Sequence, residues 1–504
     1  MRYLAFILLI GCDRSYYYEQ ANFLPTWDPE STTVCGGSVY ALMPRAGVIA
    51  QFTGGGGDPN YVDVRPHRFQ SMLPLPDIGC VLARTVTTRC EEELPERDPS
   101  FYDCPYDAVR YDEAVRLISD GVASEPIPLE PGLGPLHVSP DGRFAAALAD
   151  AGADDAIGGL VNLTAMQVIA LDTNESWIVS TGFAASDVLF LQDAAGVTDA
   201  AIVLAPNEVA VVDLTAQSPD PEVVFPLRLD GFGQTLPRSV SVTPDRAHAL
   251  VTIQNSSDLF VLDLVAYSIN ILSLRGVPTT LTLDPDGDRT FIGYTNSSVI
   301  EAVDHGNFDL RAWTTHGPVD RMEVRDDVLF AWNHANGAFV ERIDLATDDQ
   351  VSWPLNYASG ELFVSPDNAW ALTTPSAYPA RFELLDLAPG VDGELDTDPR
   401  PFGLDGVVLD AAFDSSAGAA LLLQETEEDV LRVRWPSLEA DAIALSQPPV
   451  AIGAMPTGGW FITHADPQGL LSFLSTNGDV AEIGGFALHD LLTDQPIVGP
   501  EGAP

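Results

Sequence analysis

The chain has 504 residues, of which 73 are acidic and 24 basic, so its formal net charge is −49 at pH 7. Every basic residue is arginine, since the sequence contains no lysine. A surface this acidic repels nucleic acid and anionic lipid headgroups, which excludes a phosphate-binding role. The hydrophobic share of 46% is enough to fill a core, which excludes a disordered acidic chain.

The first eleven residues have the parts of an export signal: one positive charge at Arg2, a short apolar run and a small residue at Gly11. The run is too short to cross a bilayer, which takes about 20 apolar residues. Leu9-Ile10-Gly11-Cys12 resembles the lipobox of bacterial lipoproteins. The resemblance implies that residues 1–11 are removed, that Cys12 becomes the lipidated N-terminus, and that the protein is anchored in the cell envelope outside the cytoplasm, on a periplasmic or surface face. The alternative is a short apolar strand with a chance cysteine.

Residues 12–34 are interpreted as a tether and residues 35–120 as a module that contains the other four cysteines, Cys35, Cys80, Cys90 and Cys104. An even number of cysteines in an exported protein predicts two disulfides, for which three pairings exist. A zinc site is the rival interpretation. It requires tight pairs such as C-x-x-C, whereas the nearest spacing here is the ten residues from Cys80 to Cys90. The same region would also suit an extra strand with elaborated loops on the domain that follows.

A repeat of about 40 residues occupies the rest of the chain. Alternating apolar strands end in Pro-Asp turns, where proline presets φ and aspartate caps the backbone. The turn aspartates Asp245, Asp286, Asp327 and Asp367 are spaced by 41, 41 and 40 residues. A second landmark, a strand with the pattern of Val261-Leu-Asp263-Leu, follows each turn after 17 to 19 residues. With weaker copies, eight repeat cores lie between about 133 and 490.

A period near 40 built from four short strands is typical of a β-propeller blade. Residues 279–319 illustrate it, with predicted strands at 279–283, 290–294, 298–303 and about 310–314. The Ser-Pro-Asp-Gly-Arg turn and the later Val-x-Asp-Leu strand resemble those of YVTN-type and WD-repeat-like propellers of bacterial exported proteins. We therefore expect an all-β protein with a propeller of seven or eight four-stranded blades over residues 121–490 and a tail at 491–504. A β-sandwich array is the alternative, but it would not keep this period.

The resemblance to WD-type propellers implies that ligands bind on the rim opposite the Pro-Asp turns. That rim comprises the starts of the inner strands and the loops about eight residues after each turn aspartate. The candidate binding residues are Arg238, Asn255, Asn296, Arg321, Asn333, His334, Thr374, Glu425 and His464. His334 and His464 fall at nearly equivalent repeat positions, but two histidines do not make a metal or catalytic site.

Motifs for chemistry are absent from the sequence: it has no G-x-S-x-G elbow, H-E-x-x-H motif or dinucleotide-binding glycine fingerprint. One acidic segment, with Asp392, Glu394, Asp396 and Asp398, alternates oxygen ligands as a calcium loop does. It lacks the spacing and closing glutamate of an EF-hand, and an acidic surface insertion is the other interpretation.

The sequence favours a membrane-anchored, monomeric binding or scaffolding module without a cofactor, whose partner is a protein, a glycan or another ligand. The alternative is a propeller enzyme, such as a lactonase, glycosidase or dehydrogenase, with an axial active site. Only fold-level analogy supports that alternative.

Overall fold

The computed structural model describes residues 32–486 except 91–108, 150–163, 228–233, 389–394 and loop breaks of one to five residues. These residues form antiparallel sheets, each with its strands side by side in chain order. This is a β-propeller, as the repeat predicted, with four-stranded blades. Among the described residues no helix is long and apolar enough to cross a membrane. The predicted signal, the lipidation site Cys12, residues 12–31 of the predicted tether, Cys104 and the predicted tail at 491–504 lie outside the described residues. Residues 32–34, which were also predicted to be tether, instead belong to the strand Thr32–Cys35.

The expectation of seven or eight blades is wrong, because the described residues form ten sheets, nine with four strands and one with five. The eight repeat cores correspond to sheets 3 to 10. Residues 32–129 add sheets 1 and 2. These two sheets escaped the repeat count for different reasons. Sheet 1 has no Pro-Asp turn, whereas sheet 2 has Pro76-Asp77 after its first strand, but two of its strands are eleven residues long and break the 40-residue spacing to the next turn.

The first two sheets and the last two have the following strands. Sheet 1 contains β1 (Thr32–Cys35), β2 (Ser38–Met43), β3 (Val48–Thr53) and β4 (Asn60–Val62). Sheet 2 contains β5 (Arg68–Leu75), β6 (Cys80–Cys90), β7 (Val109–Ser119), β8 (Val122–Ala123) and β9 (Ile127–Leu129). Sheet 9 contains β34 (Val408–Asp414), β35 (Ala419–Gln424), β36 (Asp429–Arg434) and β37 (Glu439–Ala444). Sheet 10 contains β38 (Pro449–Ala454), β39 (Trp460–His464), β40 (Leu470–Leu474) and β41 (Val480–Gly484).

The six sheets between them have these strands. Sheet 3 contains β10 (Leu133–Val138), β11 (Phe144–Ala149), β12 (Ala165–Ala170) and β13 (Glu175–Ser180), and sheet 4 contains β14 (Asp187–Gln192), β15 (Thr198–Ala205), β16 (Glu208–Asp213) and β17 (Pro221–Pro226). Sheet 5 contains β18 (Pro237–Val242), β19 (His248–Ile253), β20 (Asp258–Asp263) and β21 (Ser268–Ser273), and sheet 6 contains β22 (Pro278–Leu283), β23 (Arg289–Tyr294), β24 (Val299–Asp304) and β25 (Leu310–Thr314). Sheet 7 contains β26 (Arg321–Arg325), β27 (Val328–Trp332), β28 (Phe339–Asp344) and β29 (Gln350–Pro354), and sheet 8 contains β30 (Ser359–Val364), β31 (Trp370–Pro375), β32 (Arg381–Asp386) and β33 (Arg400–Gly403).

The chain divides into two compact units. One unit holds sheets 3 to 8, and each of these sheets packs on the next through a shared apolar cluster. The other unit holds sheets 9, 10, 1 and 2, which pack on one another in that order. Sheet 1 thus packs on sheet 10, where the rings of Phe52 and Phe486 meet edge to face with centroids 4.9 Å apart. The Tyr61 hydroxyl also donates a hydrogen bond to the Phe486 carbonyl at 3.1 Å.

Burial explains the different sequence patterns of the strands in one sheet. The second and third strands, such as β19 and β20, lie between two neighbouring sheets and are almost wholly buried. They therefore read as continuous apolar runs, because both of their faces are covered. The fourth strand β21 is mostly exposed, and the first strand β18 is partly exposed along its whole length.

The Pro-Asp turn recurs because its backbone is the same in several sheets. The residue after the aspartate has a positive φ, at 67° for Gly142, 58° for Arg246 and 51° for Asn368. Glycine adopts this left-handed conformation without strain, and asparagine tolerates it better than most residues. The sequence Ser-Pro-Asp-Gly is therefore the preferred form of a turn that the other sheets make with less suitable residues.

Asp141 connects one sheet to the next. Its carboxylate accepts hydrogen bonds from the Thr198 amide and hydroxyl, both at 2.7 Å, and from the Ser139 hydroxyl at 2.7 Å. Burial raises the pKa of this carboxyl, but the hydrogen bonds from Thr198 and Ser139 outweigh burial and hold the pKa below its usual range. Asp141 therefore stays ionised and fixes the start of β15 in sheet 4 to the turn of sheet 3.

The backbone of β6 narrows the disulfide prediction. Cys80 and Cys90 are the two ends of this strand, which pairs with β7 from Val81 to Cys90 without a register shift. Ten residues of extended strand separate their Cα atoms by about 33 Å, whereas a disulfide requires about 7 Å or less. A bond between Cys80 and Cys90 is therefore excluded. Cys35 Sγ lies 3.5 Å from the Leu75 carbonyl, and Leu75 pairs with Cys80, so Cys35 is also far from Cys90. Of the three pairings, only Cys35 with Cys80 and Cys90 with Cys104 stays a prediction.

We expect Asp141→Asn to lower the free energy of unfolding by about 2 kcal/mol, because an amide cannot accept all of the hydrogen bonds that the carboxylate accepts. Asp245→Asn is the matched control, since Asp245 occupies the same repeat position but accepts hydrogen bonds within its own turn, from Thr243 and Ala247. Urea unfolding of both variants measures the difference. Equal losses would show that the bond between sheets adds nothing to the turn itself.

Candidate functional site

The candidate binding surface lies at one edge of the six-sheet unit. Because strands alternate in direction, the loops between second and third strands lie at the same edge as the connections between sheets. In sheets 5 to 7 we call this edge the loop rim; it consists of the loops 254–257, 295–298 and 333–338 and the connections 274–277, 315–320 and 355–358. The opposite edge, with the hairpins between first and second and between third and fourth strands, is called the turn rim.

The first strands of neighbouring sheets hold the loop rim in register. The Thr279 hydroxyl donates to the Val319 carbonyl at 3.3 Å, and the Thr282 hydroxyl donates to the Met322 carbonyl at 3.1 Å. Each donor lies 40 residues before its acceptor, so the hydrogen bonds repeat with the period of the sequence. Equivalent ends of β22 and β26 therefore lie beside each other.

Buried glutamates on the third strands fix the connections that lead into their own sheets. The Glu341 carboxylate, fully buried in sheet 7, accepts hydrogen bonds from the amide and from Nδ1 of His316, both at 2.8 Å. Glu301 in sheet 6 accepts from the amide of Arg275 at 3.3 Å and from its Nε at 2.9 Å. Glu383 in sheet 8 accepts from the Asn356 amide at 3.0 Å.

Sheet 4 has the equivalent contact on its third strand: the Glu208 carboxylate accepts hydrogen bonds from the amides of Gly182 at 2.6 Å and Phe183 at 3.2 Å. A buried carboxylate is costly unless it is hydrogen-bonded, and each of these glutamates accepts at least one hydrogen bond from a backbone amide of the connection. In sheet 6 the Tyr294 hydroxyl also donates to Glu301, and burial together with this bond raises the pKa of Tyr294. We call these contacts carboxylate clasps; they make the connections rigid parts of the surface.

The clasps hold exposed histidine and arginine side chains at the loop rim. The His316 side chain is 68% exposed although its Nδ1 contacts Glu341, and the Arg275 side chain is 61% exposed although its Nε contacts Glu301. The rim therefore presents imidazole and guanidinium groups whose inner nitrogen atoms are already bound.

Five of the nine residues predicted to form the rim have exposed side chains there: Arg238, Asn255, Asn296, Arg321 and His334. His334 lies beside Asp320, with its amide 2.8 Å from one carboxylate oxygen and its Nδ1 3.6 Å from the other. Thr374 is half-buried and accepts a hydrogen bond from the Glu361 amide at 3.1 Å. Glu425 lies outside the described residues.

Asn333 and His464 do not present their side chains to solvent, which removes them from the candidate surface. Asn333 is buried and joins two segments of the rim, since its Nδ2 donates to the Pro318 carbonyl at 3.0 Å. His464 is fully buried in the other unit, with Nδ1 2.9 Å from the Gln447 carbonyl and Nε2 2.7 Å from the Ser472 hydroxyl. His464 and His334 have nearly the same position in the repeat, so the spacing alone predicted the same exposure for both. They differ because His464 is the last residue of a buried strand, whereas His334 follows the end of β27.

The two edges of sheets 5 to 7 differ in charge. The turn rim carries Asp245, Asp263 and Asp344, among other aspartates. Hydrogen bonds from Thr243, Ala266 and Thr347 lower the pKa of these three carboxyls, so they stay ionised. At the loop rim the carboxylates Glu301 and Glu341 are buried. The acidic surface of the protein is therefore concentrated away from the loop rim in these sheets.

Two grooves lie at turn ends of the described sheets. One, of about 660 Å³, lies between sheets 3 and 4 and is lined by Arg143, Asp172, Trp177 and Thr215, among others. Another, of about 600 Å³, lies between sheets 10 and 1 and is lined by Thr53, Thr457 and Asp479, among others.

The acidic segment proposed as a calcium loop is only partly described. Asp392 and Glu394 lie outside the described residues. Asp396 and Asp398 are exposed, and the Asp398 amide donates to the Asp396 carboxylate at 3.0 Å. Within the described part of the chain, no three His, Cys, Asp or Glu side chains are placed to hold a metal ion.

His464 makes stability depend on pH. Burial lowers its pKa below the usual value for histidine, which is about 6.5 in the unfolded chain. The unfolded state therefore binds more protons, and the contribution of His464 to stability is lost as the pH falls below about 6.5. We expect the melting temperature of the wild type to fall more steeply between pH 7.5 and pH 5 than that of His464→Gln, with His334→Gln as the exposed control. Parallel curves for wild type and His464→Gln would contradict this expectation.

No family model and no curated protein matches the chain. Solved structures that it resembles include the dihydro-haem d1 dehydrogenase NirN, with 12% identity over 64% of this chain and 72% of that chain at a TM-score of 0.36. Hydrazine synthase from Kuenenia stuttgartiensis matches with 14% identity over 57% of this chain and 93% of that chain, at a TM-score of 0.30. A chain of the mitotic checkpoint complex matches with 11% identity over 59% of this chain and 90% of that chain, at a TM-score of 0.33.

Proposed function

We propose that this protein is a lipid-anchored propeller, kept outside the cytoplasm, that binds a protein, glycan or other ligand on its loop rim. The observation that carries the proposal is the set of carboxylate clasps. They fix Arg275, His316 and Asn356 at the backbone, so polar side chains of the connections project from a rigid frame. A rigid frame reduces the entropy lost when a ligand binds.

The exposed chemistry of the rim also supports binding. Asn255 and Asn296 present amide groups at equivalent loops of sheets 5 and 6, while His334 presents an imidazole in sheet 7. Amides and imidazoles donate and accept hydrogen bonds, which suits ligands rich in hydroxyl, carbonyl or carboxylate groups. Loops on a rigid β scaffold are a common location for such recognition.

The cellular location of the protein is proposed from its first twelve residues. Arg2, the apolar run and Leu9-Ile10-Gly11-Cys12 together support export, cleavage before Cys12 and acylation of that cysteine. A single acyl chain gives only marginal membrane binding, so firm anchoring requires more than one chain on the cysteine.

The anchor is tested by labelling the expressed full-length protein with an alkyne fatty acid in bacterial cells. We expect label on the wild type and complete loss of label in Cys12→Ala, because the sequence offers no second lipobox cysteine. Cys35→Ala is the control and should keep the label. Label that persists in Cys12→Ala would refute the anchor.

Binding is tested by applying the purified chain to arrays of glycans and peptides and then measuring the affinity for the strongest ligands. We expect the triple variant Asn255→Ala, Asn296→Ala, His334→Ala to bind at least about tenfold more weakly, since lost polar contacts of this kind cost about a factor of ten together. Thr215→Ala on the turn rim is the control. Ligands that bind the triple variant as well as the wild type, or no ligand on any array, would contradict the loop rim as the binding surface.

A further inference from the structure

Two arginines at the loop rim differ from most arginines of the molecule. Arg238 and Arg321 are both exposed, and each stands at or beside the first residue of a first strand, β18 and β26. Their guanidinium groups hydrogen-bond backbone carbonyls: Arg238 Nη1 donates to Pro278 at 3.0 Å, and Arg321 Nη1 donates to Asp320 at 3.3 Å.

Neither guanidinium forms an ion pair with a carboxylate of the described residues. Most other arginines there do so, for example Arg246 with Asp199 at 2.6 Å and Arg311 with Asp348 at 2.6 Å. With 73 acidic against 24 basic residues, an exposed guanidinium without a carboxylate neighbour is uncommon on this surface. Most of the donor groups of both side chains therefore remain available to a ligand, because a guanidinium has five N–H donors and each uses one on a carbonyl.

The two arginines belong to one stretch of the rim. Arg238 contacts Pro278, the next residue Thr279 contacts Val319 at 3.3 Å, and Arg321 follows Val319 by two residues. His334 joins the same stretch through Asp320, whose side chain is only 15% exposed. One continuous chain of contacts thus runs from Arg238 across the start of sheet 6 to Arg321 in sheet 7.

The carboxylates at this stretch are largely buried, and Asp320, which adjoins Arg321, contacts His334 rather than a guanidinium. The nearest clasp carboxylates, Glu301 and Glu341, are buried and bound to the amides of Arg275 and His316. At physiological ionic strength, charges are largely screened beyond about 8 Å, so the distant acidic surface weakens the attraction of this stretch for an anion without abolishing it. The net charge of −49 still opposes a polyanion, whose many charges would extend over acidic surface.

We propose that Arg238 and Arg321 bind the carboxylate group of a small ligand that carries few negative charges. The inference rests on the proposed function, because it specifies what the loop rim recognises. The planar fork of each guanidinium matches the two oxygens of a carboxylate, which gives both affinity and orientation. The exposed imidazole of His334, which joins this stretch through Asp320, provides a hydrogen-bonding group for the neutral part of the ligand.

The experiment uses the full chain in detergent, with glutarate as the probe and its neutral diamide, glutaramide, as the comparison. Ligand-observed NMR should detect binding of glutarate and none of glutaramide. In the double variant Arg238→Gln, Arg321→Gln the affinity for glutarate should fall at least about tenfold, the usual size for a lost charge-assisted hydrogen bond. Arg311→Gln is the control, because Arg311 is equally exposed but pairs with Asp348.

Two results would overturn the proposal: equal glutarate binding by wild type and double variant, or inorganic phosphate or sulfate bound more tightly than glutarate at the same two arginines. The proposed function fails separately. If array ligands bind and depend on Asn255, Asn296 and His334 but not on Arg238 and Arg321, the loop rim is correct and the carboxylate site is wrong. If glutarate binding depends on the arginines and the array ligands are unaffected by the triple variant, the carboxylate site is correct, and the assignment of the array ligands to Asn255, Asn296 and His334 is wrong.

Discussion

The structure depends on one constraint: a propeller sheet is apolar on both faces and is stable only between two neighbours. Second and third strands such as β19 and β20 are buried almost completely for this reason. The period near 40 residues follows, since every sheet repeats the same four-strand path. The constraint also places loops and turns at two opposite edges, where charge and hydrogen-bonding groups can differ without disturbing the core.

The repeated architecture was predictable because two landmarks, the Pro-Asp turn and the Val-x-Asp strand, keep their spacing. For residues 279–319 the four predicted strands match β22 to β25 to within one residue. The number of blades was not predictable in the same way. Sheets 1 and 2 bury their faces as the others do, but sheet 1 has no Pro-Asp turn, and the eleven-residue strands of sheet 2 put its Pro76-Asp77 turn outside the 40-residue spacing.

The sequence predicted which edge of the sheets carries the candidate residues, but not which of their side chains are exposed there. The loop rim carries Arg238, Asn255, Asn296, Arg321 and His334 as expected, whereas Asn333 and His464 use their polar atoms inside the protein. The clasp glutamates were missed, although a signal for them exists. Glu301, Glu341 and Glu383 interrupt apolar third strands at intervals of 40 and 42 residues. A charged residue inside a buried strand at the repeat period indicates a shared structural partner, and the partner here is the backbone of the preceding connection.

The packing of sheet 1 on sheet 10 has a consequence for how the chain reaches its native state. Tyr61 and Phe486, which meet in this packing, are 425 residues apart in sequence. At about 5–20 residues per second, a ribosome needs on the order of 20–85 s to supply the second partner after the first. Throughout that interval the apolar face of sheet 1 that includes Phe52 lacks the sheet 10 residues that pack on it. Contacts of such long sequence separation form slowly, so this step is where premature association between nascent chains has the most time to occur.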